Sequence, residues 1–217
     1  MGKNIIRNLK EKDVGSIGIG AMIVFIAMVL VAGIAASVLI QTSTTLESQA
    51  MLTGEATTKE VSAGINVINI EGHNTSGAID NLAIMVRPRA GSNDIDLGET
   101  VIEISDSESK NILILDTTEC NQPADTNGDV LNDGFSPESA LQFGIIVMED
   151  ADGSCDGTSF VINSGDTVIL TVDTGQCFGS LSVRDDVWGY VIPEEGSPGV
   201  ISFRVPSSLT TAVVELQ

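Results

Sequence analysis

Val14-Gly-Ser-Ile-Gly-Ile-Gly-Ala-Met-Ile-Val-Phe-Ile-Ala-Met-Val-Leu-Val-Ala-Gly-Ile-Ala-Ala-Ser-Val-Leu-Ile-Gln-Thr-Ser-Thr-Thr-Leu46 runs for 33 residues without a charged side chain. A short basic head with Lys3, Arg7, Lys10 and Lys12 precedes it. A hydrocarbon core about 30 Å thick needs roughly 20 apolar residues in a helix, and Ile17 to Ile40 supplies 24. Basic residues ahead of an apolar span put the N-terminus in the cytoplasm and everything from Glu47 onward outside. The run is too long for an ordinary signal h-region, and no small-x-small cleavage site follows it.

Working outward, helical periodicity continues past the apolar run. Leu46, Ala50, Thr53, Thr57, Val61, Gly64 and Ile68 recur at steps of three or four. The pattern predicts one helix from Ile17 to Ser62, roughly 65–70 Å long at about 1.5 Å per residue. Its first half is apolar on all faces and must be buried in lipid or in other protein. Gly18, Gly20, Ala21, Gly33, Ala35 and Ala36 let helix backbones approach closely. An ordinary anchor with incidental glycines is the plainer reading of the same residues.

From Ile65 the period changes. Ile65-Val67-Ile70, Leu82-Ile84-Val86, Ile102-Ile104, Ile112-Ile114, Phe143-Ile145-Val147, Phe160-Ile162, Val168-Leu170-Val172, Val187 to Ile192, Val200 to Val205 and Val213-Val214 are short apolar or alternating runs. Gly, Asn, Asp, Ser and Pro separate them. This is the pattern of an all-β sandwich or barrel. The expected fold class is α+β: a long N-terminal hydrophobic helix, then an immunoglobulin-like β-sandwich. The expected divisions are a leader over 1–15, a helix over 16–64 and a β domain over 65–217.

The formal net charge is −20 over 217 residues. The first fifteen residues hold four Lys/Arg against two Asp/Glu, so the remainder carries −22. Such a surface argues against nucleic acid, whose binding needs cations to neutralise phosphates. It suits an outward face that stays soluble. In an oxidising space, Cys120, Cys155 and Cys177 predict one disulfide and one free thiol, with the pairing open. The alternative is three reduced, buried cysteines.

The catalytic inventory is poor. His73 is the sole histidine, in an expected polar turn. No phosphate loop, nucleophile elbow or zinc motif is present. One loop has metal-ligand spacing: Asp125, Asn127 and Asp129 offer oxygens at alternate positions, with Asp133 further on, as in the opening of a calcium loop. Val130 stands where an EF-hand has glycine, and Ser136 where it has glutamate. A solvated acidic turn is the alternative. Asp150, Asp152 and Asp156 form a second acidic loop with weaker spacing, read as a solvated turn. Asn74-Thr75-Ser76 is the one N-glycosylation sequon, between two strands and outside the membrane. Arg184-Asp-Asp-Val-Trp188-Gly-Tyr190 holds the sole Trp and Tyr and is read as a core strand with aromatic packing.

Residues 16–45 resemble the N-terminus of archaellins, the archaeal flagellins. Gly18-Ile19-Gly20 followed by Ile23-Val-Phe-Ile-Ala-Met-Val-Leu-Val-Ala32 carries most of that resemblance, and it continues through Ala50, Thr53-Gly54, Thr57, Val61 and Gly64. Pro193-Glu-Glu-Gly-Ser-Pro-Gly199-Val-Ile and Val213-Val-Glu-Leu-Gln217 are similar to an archaellin C-terminus. Residues 90–180 carry no such motif. The resemblance implies a preprotein cut by a prepilin-type peptidase between Gly15 and Ser16, although Asp13 and Val14 stand where basic residues often precede the glycine.

It also implies a structural, non-enzymatic subunit of the archaellum, the extracellular swimming filament. The helices would pack in the filament core through Gly18, Gly20, Phe25, Gly33 and Ala36. Implied partners are copies of the chain, sibling archaellins, and the export and motor machinery. The membrane holds the precursor, an outer-domain glycan would sit on Asn74, and some members bind metal ions, for which the loop spacing at Asp125 points to calcium. An archaeal type IV adhesion pilin shares the same logic of leader and helix. A membrane-tethered ectodomain, binding or enzymatic, would need a polar pocket for which the sequence offers no residues.

Overall fold

The first proline of the chain is Pro88, so nothing in the N-terminal third forbids a continuous helix. The structure, a computed structural model, describes residues 2–120, 139–155 and 158–217, with the backbone alone for 2–14, 16 and 118–120. Helix α1 spans Gly2–Ser62, 61 residues. It starts well before the expected Ile17, because Leu9, Lys10, Glu11 and Lys12 are themselves good helix formers. It stops where Gly64 and the β-branched Ile65 and Val67 follow. Two compact units result, Met1–Glu55 and Ala56–Gln217, so the last turns of the helix belong with the β domain.

Eleven strands follow among the described residues: β1 Ile65–Thr75, β2 Ala78–Pro88, β3 Ile95–Asp96, β4 Val101–Ser105, β5 Lys110–Cys120, β6 Gln142–Glu149, β7 Val161–Ile162, β8 Thr167–Asp173, β9 Asp186–Ile192, β10 Gly199–Arg204 and β11 Val213–Glu215. A short helix, α2 Thr174–Phe178, sits between β8 and β9. Its N-cap Asp173 accepts from the Gln176 amide, a local device that hydrophobic period does not reveal. Turn chemistry closes the β1–β2 hairpin, with Ser76 and Gly77 both at positive φ. His73 is therefore a strand residue rather than a turn residue, 3.3 Å from the Thr75 hydroxyl.

Nine strands form one sheet in the order β10-β9-β4-β5-β6-β8-β2-β1-β11, and β3 pairs with β7 separately. β5 is the pivot. Its first half pairs antiparallel with β4 and its second half parallel with β6. One hydrophobic cluster draws on both wings, joining Ile102, Ile104, Val187, Val191 and Ile201 to Leu82, Ile84, Val86, Ile145 and Leu170. The two expected layers are thus one sheet curled over its own core, with Phe143 the largest fully buried side chain.

The C-terminus ties β1, the neighbour of the edge strand β11, to the opposite edge strand β10. The main-chain amide of Ile70 on β1 donates to the Gln217 carbonyl at 3.2 Å. On β10, the Ser202 amide donates to Gln217 Oε1 at 2.9 Å, and Gln217 Nε2 donates to the Val200 carbonyl at 3.4 Å. Edge groups that would template aggregation are thereby occupied.

Candidate functional site

The apolar half of α1 is the first candidate. Every described side chain from Ile17 to Val61 is exposed. Fifteen large apolar side chains lie between Ile17 and Ile40, with Phe25 67% exposed. At about 1.5–3 kcal/mol for each side chain fully buried, their cover is worth some tens of kcal/mol as an upper estimate. No such surface persists in water. An added Cβ at Gly18, Gly20 or Gly33 would meet nothing within 4 Å in the chain itself, and Ala36 is likewise exposed. The small residues serve no packing inside one chain, so any close approach they allow is to another molecule.

Polar residues beyond Ile40 are satisfied locally. The hydroxyls of Thr42, Thr44 and Thr45 donate back to the carbonyls of Leu39, Gln41 and Gln41 at 2.9–3.0 Å. A hydroxyl bonded to its own helix can enter a protein interior without an unmet donor. Gly15 and Ser16 lie within α1. Glycine is the weakest helix former after proline, so Gly15 weakens the helix locally, as do Gly18 and Gly20.

The end of α1 is held by two loops of the β unit. Ser197 donates to the Ala63 carbonyl at 3.0 Å, Ile65 to the Ser197 carbonyl at 3.2 Å, and Arg89 to the Gly64 carbonyl at 2.8 Å. Gly64 donates to the Ser92 hydroxyl at 3.4 Å. Ala63 is buried beneath these contacts.

The expected metal ligands Asp125, Asn127, Asp129 and Asp133 lie outside the described residues. The second acidic loop differs from its expected reading as a solvated turn. Asp150, Asp152 and Asp166 each bring a carboxylate oxygen within 4.8 Å of the other two. Asp166, sixteen residues beyond Asp150, is missing from the sequence spacing, and Asp156 is among the residues not described. Asn163 ties the turns together. Its amide nitrogen Nδ2 donates to Asp152 Oδ2 at 2.6 Å and to the Ser154 hydroxyl at 3.3 Å, and its main-chain N–H donates to Asp166 Oδ2 at 2.8 Å.

Main-chain amides hold Asp150 below the usual carboxylate range, that of Cys155 foremost, against an opposing desolvation, with those of Gly153 and Ser154 adding to it. Asp166 is 2% exposed. Its Oδ1 accepts no hydrogen bond among the described residues. A buried, unsatisfied carboxylate oxygen beside two further carboxylates is costly for a protein alone. It suits a hard divalent cation, which prefers oxygen ligands.

Cys177 is a free thiol. It donates to the Ala140 carbonyl at 2.9 Å. Burial pushes it up to about 11, and the Asp173 carboxylate adds to the effect. Cys155 is buried, and the Cys120 side chain lies outside the description. Asn74 donates both amide hydrogens, to the carbonyls of Leu209 at 3.2 Å and Thr211 at 3.0 Å. Its Oδ1 accepts from Gly77 at 3.0 Å.

The reading of Trp188 and Tyr190 as core residues is corrected. They are 48% and 44% exposed, on the outer side of β9. Val187, Gly189 and Val191 face inward in their place.

The sequence model of the archaeal-type flagellin family matches residues 15–203. Flagellin B2 of Methanocaldococcus jannaschii is 45% identical over 209 residues, covering 94% of this chain and 95% of that protein. Flagellin B1 of Methanococcus voltae is 37% identical over 219 residues, covering 99% and 100%. Among solved structures, the archaeal flagellin FlaB1 of Methanocaldococcus jannaschii superposes with a TM-score of 0.66 at 31% identity, over 71% of this chain and 97% of that one. A subunit of the archaeal flagellum of Methanospirillum hungatei shares the fold, with a TM-score of 0.64 at 15% identity over 91% and 98%.

Proposed function

This chain belongs to the archaeal-type flagellin family, and we propose that it reaches its filament as a membrane-held precursor cut between Gly15 and Ser16 by a prepilin-type peptidase. It is a structural subunit of the archaellum, an extracellular filament, and not an enzyme. It polymerises with copies of itself. The observation that carries the precursor route is the all-round exposure of an apolar helix on a chain whose remainder is strongly acidic. Such a helix passes from lipid to neighbouring helices, so its apolar surface never meets water. Contacts that do not close on themselves then extend the polymer. Sibling archaellins, the export apparatus and the motor are the further partners of this reading.

Mass spectrometry of filaments sheared from cells is the test. The N-terminal peptide is expected to begin at Ser16. Filaments whose subunits keep residues 1–15 would overturn the cut, and a chain found only in the membrane fraction would overturn the route. The same digest reports on Asn74. A glycan there replaces one of the two donated hydrogens, so at most one of the bonds to Leu209 and Thr211 is kept.

Calcium is the proposed ion, held by Asp150, Asp152 and Asp166. It would neutralise their mutual repulsion and occupy the orphaned oxygen of Asp166, supplying stability and no chemistry. Saturating calcium, at about a hundred times Kd, contributes about 2.7 kcal/mol to a folded state that alone binds it. Parent filaments are expected to melt at higher temperature in calcium than in chelator. Asp166→Asn should lose that gain while melting no lower than the parent in chelator, because it removes one repelling charge. If Asp166→Asn keeps the calcium response and Asp125→Ala with Asp129→Ala loses it, the ion sits in the 125–133 loop instead.

A further inference from the structure

The outer face of the β10-β9-β4-β5 wing does not match the rest of the surface. Trp188, Tyr190 and Ile192 alternate outward along β9. Val200 stands beside Tyr190 on β10, and Ile112 lies two strands away on β5 with Glu103 of β4 between them. Adjacent strands are about 4.8 Å apart, so these side chains form one continuous patch. Its only intervening charges are cancelled. Glu103 receives Lys110 at 2.6 Å, and Asp186 receives Arg204 at 3.4 Å. Both ion pairs found among the described residues lie on this face. In a chain of net charge −20, two acidic residues of this face, Glu103 and Asp186, are each paired with a basic one.

We propose that this face is a lateral interface that docks against the outer domain of a neighbouring copy of the same chain in the filament. The proposal rests on the polymer reading above. Identical acidic domains repel one another except where their charge is locally balanced, and exposed pairs are screened beyond a Debye length of about 8 Å. An aromatic-rich apolar patch whose charges are paired has the make-up of an interface. The face also adjoins the last turn of α1, which lies within the same compact unit. Ile192 and Val200 flank the β9–β10 turn whose Ser197 holds Ala63 at the end of α1. Helix packing therefore brings copies of this face to high effective concentration, where a modest lateral contact is enough.

Trp188 is the sole tryptophan of the chain, which makes it the reporter. Its emission and acrylamide quenching are measured in sheared parent filaments and in the same full-length chain dissociated in detergent. The expected result is emission at shorter wavelength and several-fold weaker quenching in the filament. Equal quenching in both states overturns the interface. A photo-crosslinker placed at Tyr190 should join two peptides of this chain, and joining to any other protein overturns the choice of occupant. Trp188→Glu should give filaments that dissociate at lower temperature, while Trp188→Phe should behave as the parent. Parent samples that form no filaments would overturn the polymer reading, and the interface with it. Intact filaments with a fully quenched Trp188 would overturn the interface alone.

Discussion

Gly33→Leu is expected to abolish filaments while leaving membrane insertion intact. Within the chain the substitution is harmless, since a Cβ at Gly33 meets nothing within 4 Å. Leu also raises helix propensity by about 0.8 kcal/mol over Gly, and it makes the span more apolar. Any loss must therefore arise between chains. Helix axes pack 8–10 Å apart in general, and small residues set the closest of these approaches. A leucine driven into such a contact costs about 1–3 kcal/mol, and every subunit of a polymer meets that cost with each neighbour it packs against. Electron microscopy of sheared material, with immunoblotting of the membrane fraction, reads both halves of the expectation. Normal filaments from Gly33→Leu would refute close packing at that position. Gly33→Ala is the control and should assemble, because one methyl group leaves most of the approach distance intact.

The second large effect is at the junction. Gly196 has φ +96°, and a Cβ there would fall 2.2 Å from the carbonyl oxygen of Ala63. The obstacle is backbone that also accepts the Ser197 amide, so it cannot turn away as a side chain would. Gly196→Val adds a β-branched residue in a left-handed conformation, a cost of about 1–3 kcal/mol for the backbone alone. The steric conflict adds to this. Each kcal/mol lowers the melting temperature of a domain this size by about 2–4 °C. Calorimetry on full-length protein in detergent should show a drop of about 8 °C or more. A melting temperature equal to the parent's would mean that the 193–199 turn does not grip the end of α1 as described.

Both expectations rest on features that differ in how far the sequence announces them. The helix is legible because an apolar run without charge, proline or alternation has one solution in lipid and one in a bundle, and both are helical. The strands are legible because their period is local. The helix–strand change near Ile65 and the acidic balance need no tertiary knowledge. Alternation, however, states which residues share a face and not which face is inside. On β9 both sets are apolar, Val187 and Val191 against Trp188, Tyr190 and Ile192. Reading Trp188 as core follows from hydrophobicity. The structure reverses it because Gly189, on the same side as the two valines, lies against the Glu103 carbonyl of β4, where a Cβ would come within 2.1 Å of it.

The acidic site separates along the same line. Asp150 and Asp152 are visible as a loop, but Asp166 reaches them only after β7 and the Asn163 turn fold back. Non-local juxtaposition leaves no spacing in the chain to find. The parallel pairing of β5 with β6 needs a long crossover, and the tie that Gln217 makes between β1 and β10 joins residues far apart in sequence. By itself, then, the sequence determined the apolar helix, the strands other than β3, the exported acidic surface and the family resemblance. These all follow from local composition and period. Only the tertiary structure decided which face of the sheet stays outside, which carboxylates meet and how the helix end is gripped, because each depends on closing loops between segments that carry no local sign of one another.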